Sequence, residues 1–129
     1  MTHRHEDWLA QAQHDLKAAK DSLAAQNYEW VAYQAQQSAE KAVKALLRYY
    51  NEERRGHTIY NLLLEAAKFV SVPTELLPKA QELDKHFFQS RYPNGFIDDY
   101  PAALYSQATA ETCLAFAEDI LRYVEKSTP

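Results

Sequence analysis

His57, Arg91 and the charges Glu40, Lys41 and Lys44 are the side chains in this chain best suited to chemistry. Histidine ordinarily titrates near neutral pH, so His57 suits a base or a hydrogen-bond partner. Gly56 before it and Thr58 after it read as a turn and a helix cap. A helix start disfavours protonated imidazole and favours anions. Arg91 precedes Tyr92-Pro93, and a proline pushes the residue before it toward extended backbone, which fixes how the chain leaves Arg91. A guanidinium held there can clamp a phosphate or carboxylate through two parallel N–H donors. Two structural alternatives stay open. Arg91 can pair with Asp84, Asp98 or Asp99, and His57 can cap a backbone group or meet an acid on the preceding helix. Glu40 and Lys44 stand four residues apart in the favourable orientation, which a solvated helix face explains without any function.

Other chemistries lack their residues. Asp84 and His86 lie two positions apart, on different sides of a helix, and no metal-binding His-x-x-x-His or Glu-x-x-His spacing occurs, so neither they nor Asp98 predict a metal site. His3 and His5 fall in a stretch that reads as frayed. There is no glycine-rich phosphate loop and no Gly-x-Ser-x-Gly elbow. No cofactor is expected. The net charge of −4 argues against a wholly basic nucleic-acid domain but leaves room for a local cationic site. The single cysteine, Cys113, neighbours Leu114 and Phe116 and reads as a buried, inert thiol. The polar start of the chain is no signal peptide, and no apolar run is long enough to span a bilayer. A cytoplasmic protein with no membrane partner is the expectation.

The elements that must carry these side chains are helices. Glycine occurs only 2 times in 129 residues, and 47% of the chain is hydrophobic, enough for a core without staples. Ala, Leu, Gln, Glu and Lys dominate. Leu9, Ala12, Leu16, Ala19 and Leu23 form one helical stripe, predicting a helix over 6–25. Asn27 reads as the cap of a second helix over 28–51, with the stripe Tyr28, Ala32, Ala35, Ala39, Ala42, Leu46 and Tyr49. Its alanines permit a close neighbour, and Trp30 and Tyr33 broaden its apolar face. Ile59, Leu62, Leu63, Ala66 and Val70 predict a third helix over 59–70, and Leu77, Ala80, Leu83 and Phe87 a fourth starting near Thr74. Residues 89–104 hold Pro93, Gly95 and Pro101 without helical period and read as a long functional loop. Ser106 or Thr109 caps a last helix reaching about Glu125. The product is a single all-α domain over 1–129, an up-and-down bundle of four long helices plus one shorter helix.

Three fragments in order carry a resemblance. They are Gln36-Gln37-x-x-Glu40-Lys41-Ala42-x-Lys44-Ala45-Leu46, Gly56-His57-x-Ile59-x-x-Leu62-Leu63, and Leu83-Asp84 followed by Arg91-Tyr92-Pro93-Asn94. Together with Trp8-Leu9-x-x-Ala12-x-x-Asp15-Leu16 they resemble the HEPN domain, "higher eukaryotes and prokaryotes nucleotide-binding", over nearly the whole chain. The resemblance implies a dimerising α-helical bundle. It also implies a partner, a minimal nucleotidyltransferase encoded alongside as a toxin–antitoxin-like pair. Several branches of the family are metal-independent ribonucleases whose motif is an arginine and, after a short spacer, a histidine, often followed by x-Tyr. Here six residues separate Arg91 from Asp98, with Tyr100 beyond, so an aspartate stands at the histidine position. A carboxylate is ordinarily ionised near neutral pH and does not replace imidazole as a proton shuttle. The expected function is therefore a homodimeric module binding a nucleotide or RNA phosphate, with Arg91, His57, Asp98, Tyr100 and Lys44 as ligand candidates. A metal-independent ribonuclease using His57 and a purely structural interaction bundle are the rivals.

Overall fold

The computed structural model describes residues 4–129; His3 lies outside them. The described residues form helices and no strand. Helix α1 spans His5–Ala24, α2 Tyr28–Tyr49, α3 Ile59–Ala66, α4 Leu76–Asp84 and α5 His86–Gln89. A 3-10 turn covers Pro93–Gly95, α6 spans Pro101–Leu104, and α7 Gln107–Ser127. The bundle's three long helices are α1, α2 and α7. The expected third and fourth helices are there but shorter. His5 is not frayed: it opens α1 and meets the Tyr49 ring edge-on at 5.2 Å.

Helix α2 lies at the centre, packed against α1, α7 and α3. Its stripe alanines 32, 35, 39 and 42 are all fully buried. The Ser38 hydroxyl donates to the Ala12 carbonyl at 2.7 Å, a bond from side chain to neighbouring backbone that only closely approaching helices can make. Ala39→Leu therefore has nowhere to go. Overpacking of this kind costs about 1–3 kcal/mol, so thermal melting should show a midpoint several degrees lower. An unchanged midpoint would mean that this face of α2 is not tightly packed.

The helix ends decide where the site residues fall. Asn51, at φ 65°, closes α2: its N–H donates to the Arg48 carbonyl and the Glu52 N–H to Leu47, each at 2.9 Å. Gly56 lies beyond that cap, in the connection to α3. At φ 104° it forms the turn delivering His57. Thr58 occupies the cap position of α3, but its hydroxyl caps nothing. Asp84 does so from α4, its two oxygens accepting from the Ile59 and Tyr60 N–H groups at 2.8 and 3.1 Å. Ser106 caps α7 as its sequence position predicts, accepting from the Thr109 N–H at 3.1 Å.

The segment expected to be a loop is partly ordered into turns. Pro93 starts the 3-10 turn and Pro101 sits at the first position of α6, both too brief to show a period. Tyr92 is extended before Pro93, at φ −125° and ψ 133°.

His86 packs into the core at 6% exposure. Its Nδ1 bonds the Tyr105 hydroxyl and its Nε2 the Glu82 carboxylate at 3.0 Å, so both nitrogens are used structurally. Among the described residues, no group of three or more His, Cys, Asp and Glu side chains is placed to hold a metal. Burial pushes the imidazole below its usual 6.5, against the opposing pull of Glu82. The unfolded chain then binds the extra proton first. Stability from this group is complete above 6.5 and is lost as pH falls below it. Melting between pH 7.5 and 5.5 should show a decline that His86→Gln flattens; equal slopes in both would assign the decline to other groups. Cys113 is fully buried, and burial, with Glu82 adding to it, raises its thiol to about 12, an unreactive state.

Candidate anion-binding site

Gln36 and Glu40 lie one turn apart on α2 and point inward, at 0% and 4% exposure. Glu40 is therefore not part of a solvated face. Lys44 meets its Oε2 at 2.9 Å, with side chains only 11% and 5% exposed. The other oxygen accepts from Gln36 Nε2 at 3.3 Å. Lys44 also sits 5.7 Å from the Trp8 ring centre, beside Arg48 at 4.8 Å from the same ring. Lys41 does separate work, tying α2 to α1 through Asp15 at 2.6 Å.

This buried group holds His57 twice. Gln36 Nε2 donates to the His57 carbonyl at 3.0 Å, and the ring Nδ1 lies 3.0 and 3.2 Å from the two Glu40 oxygens. A carboxylate only accepts, so the proton belongs on Nδ1 and the basic lone pair on Nε2. Nε2 has no hydrogen-bond partner among the described residues, and the side chain is 58% exposed. The buried carboxylate thus orients an imidazole whose other nitrogen faces outward, an arrangement suited to accepting a proton and, once protonated, to donating to an anion.

Arg91 arrives from beyond α5. Its Nε and one terminal nitrogen donate to the Phe87 carbonyl at 2.9 and 2.7 Å. Its guanidinium lies 4.4 Å from the Tyr33 ring centre, 4.8 Å from Phe87 and 5.1 Å from Tyr92. The ion pairs with Asp84, Asp98 or Asp99 are absent among the described residues: Asp84 caps α3, and Asp98 and Asp99 accept from the next residue's N–H. Phe87 is the hinge of the site, because His57 stacks on that same ring at 4.6 Å with planes 16° apart. Arg91, His57 and Lys44 are thus linked through Phe87 and Glu40. Asp98 and Tyr100 are exposed between the 3-10 turn and α6, and no hydrogen bond or ion pair joins them to the other three.

The helix-start argument for anions does not hold at α3, since Asp84 occupies its first free N–H groups. Burial, with Glu40 nearby, raises the Asp84 carboxyl, and the two backbone bonds oppose this. The cation linked to His57 is Arg91, through the shared Phe87 ring.

Sequence reasoning missed Glu40 as an anchor and Phe87 as a platform. For Glu40 a signal existed: positions 36, 40, 43 and 47 form one helical row, and Val43 and Leu47 continue it into the core.

A model of the HEPN domain matches residues 5–127. The chain belongs to the HEPN domain family. A Methanocaldococcus jannaschii protein named "Putative toxin MJ1304" is 30% identical over 128 residues, spanning 92% of this chain and 84% of the relative. Among solved structures, TT1696 from Thermus thermophilus has a TM-score of 0.95 at 37% identity, covering 98% of this chain and 99% of the other. An archaeal HEPN homologue, ST0689, has a TM-score of 0.83 at 36% identity, covering 98% of both chains. A HEPN domain protein from Thermotoga maritima has 0.76 at 32% identity, covering 93% and 95%. The HEPN fold of this chain has no described helix long and apolar enough to cross a membrane.

Proposed function

We propose that this HEPN protein binds phosphates of RNA or of a nucleotide through Arg91 and His57. It does so as a homodimer, paired with a minimal nucleotidyltransferase in a toxin–antitoxin-like system. One observation carries the reading: Arg91 and His57, 34 positions apart in sequence, share the Phe87 ring, and the guanidinium has no carboxylate within ion-pair distance among the described residues. A fixed guanidinium and an imidazole that takes up a proton on Nε2, both held against the Phe87 ring, offer donors of the kind a phosphodiester's two free oxygens accept. The toxin name of the M. jannaschii relative supports the biological role, and the partner is the one the resemblance to the family implies. Fluorescence polarisation of labelled single-stranded RNA at low salt tests the ligand half; no binding, with or without a nucleotidyltransferase, refutes it.

The homodimer has its own support. Trp30, Phe88 and Tyr92 are 45%, 44% and 43% exposed, and all belong to the aromatic rim around Arg91. Trp30 meets Tyr33 at 6.1 Å, and Phe88 stacks on Tyr92 at 4.9 Å. Exposed aromatics grouped in this way suit an interface core, and a two-fold pair is the commonest closed assembly. Light scattering at tens of micromolar, on the order of assay concentrations, should give twice the chain mass; a monomer there counts against the dimer.

A metal-independent ribonuclease is the second reading, favoured by the Glu40–His57 pair. His57 Nε2 would take the 2′-hydroxyl proton while Arg91 stabilises charge on the phosphorus oxygens. Cleavage in EDTA that disappears in both His57→Ala and Arg91→Ala would establish it over binding alone.

A further inference from the structure

Charge pairing across the molecule singles out a second cation. Of the 14 lysines and arginines, only Arg55, Arg91 and Lys126 have no carboxylate within 4.0 Å among the described residues. Lys126 lies in the last turn of α7, where a cation complements the helix dipole. Arg91 is held by the Phe87 carbonyl and aromatic rings. Arg55 has neither explanation. It is exposed and has no hydrogen-bond partner among the described residues.

Arg55 lines a concavity of about 420 Å³ between the α2–α3 connection and the outer side of α3. That volume lies in the range of small-ligand sites. One wall is Arg54, locked by Glu52 at 2.8 Å and Glu65 at 3.5 Å. Glu65, the carboxylate lining the space, is neutralised by that arginine and by Lys68 at 3.0 Å. Leu64, 43% exposed, adds an apolar surface. Asn61 offers an amide with no internal partner among the described residues. Gly56 leaves the space beside its backbone open: a Cβ built there meets nothing within 4 Å. His57 lines this concavity as well as stacking on Phe87, so the space adjoins the Arg91 site.

We propose that this concavity is a nucleotide subsite, in which Arg55 holds a phosphate and Asn61 and Leu64 take the base. The proposal rests on the reading of Arg91 and His57 as an RNA-phosphate site and extends it by one nucleotide. An unpaired guanidinium supplies the charge for phosphate. A leucine face accepts the flat apolar surface of a base, and an amide presents the donor and acceptor that a base edge requires. A free nucleoside monophosphate and one unit of an RNA strand carry this same chemistry.

Two probes separate those sources: AMP by calorimetry, and a labelled single-stranded RNA by polarisation across a salt series. Both are run on the full chain and on Arg55→Ala, Asn61→Ala and Arg91→Ala. Arg55 supports no contact in the fold, so its variant should melt like the wild type. RNA binding weakened about tenfold in Arg55→Ala, with the salt slope reduced by about 0.7, supports a strand subsite. A comparable loss in Asn61→Ala without a slope change supports the base contact. AMP binding that depends on Arg55 supports a free-nucleotide subsite, and does so even if RNA fails to bind and the Arg91 reading falls. RNA binding that needs Arg91 but is indifferent to Arg55 overturns the subsite while leaving the Arg91 reading intact. Absence of binding for both probes overturns both.

Discussion

Replacing Glu40 with alanine should lower the thermal midpoint by on the order of 15 °C, the largest stability effect expected from any single polar change in this chain. The cause is burial. Glu40 and Lys44 form an ion pair with side chains 5% and 11% exposed, and Gln36 and His57 complete the carboxylate's bonds. Removing the acid leaves the Lys44 ammonium enclosed beside the Trp8 ring with no counter-charge. Breaking one side of such a pair typically costs about 3–5 kcal/mol. Glu40→Gln separates charge from shape. It keeps an oxygen to accept from His57 Nδ1 but no longer neutralises Lys44, so its loss should be smaller. Adding Lys44→Met to Glu40→Gln should recover stability relative to the additive sum, since neither charge is then buried alone. Additive behaviour in calorimetric melts, or a Glu40→Ala midpoint within a few degrees of wild type, would show that this pair is solvated.

The same residue marks where sequence reading stopped. Local rules located all the long helices: the Leu9–Leu23 stripe gave α1, and Ser106 gave the cap of α7. They also identified the α2 alanines as a tight contact. Local rules misplaced what is decided across the fold. The α3 N–H groups are capped by Asp84, 25 positions away, because α4 packs alongside α3 and presents its carboxylate to them. Glu40 and Lys44 satisfy a surface-pair rule equally well whether their row faces water or α3, and in the sequence only the continuation of that row through Val43 and Leu47 marks it as inward. His57 and Arg91 were legible as chemistry through their flanking Gly56 and Pro93. That both rest on Phe87 was not, since a ring on a helical stripe reads as ordinary core.

Arg91→Ala should weaken single-stranded RNA binding by 100-fold or more, with a thermal midpoint within about 3 °C of wild type. The guanidinium supports no helix: it bonds one carbonyl, Phe87, and rests on exposed or half-buried rings, contacts worth roughly 0.5–1 kcal/mol each at such sites. The Phe87 carbonyl can turn to water once the side chain is gone. Lys44 is no substitute for Arg91, because that ammonium is spent on Glu40. Arg91→Lys is the sharper probe. It keeps the charge but loses the planar fork that bonds Phe87 and stacks on Tyr33, so a flexible ammonium replaces a fixed donor set. Binding in Arg91→Lys should fall nearly as far as in Arg91→Ala if orientation matters, and should recover most of the wild-type affinity if charge alone does. If the two groups share one phosphate, His57→Ala should add to the Arg91→Ala loss by less than its own single effect. Full additivity of the two, or an Arg91→Ala protein that binds RNA unchanged, would separate these residues into unrelated roles and remove the site.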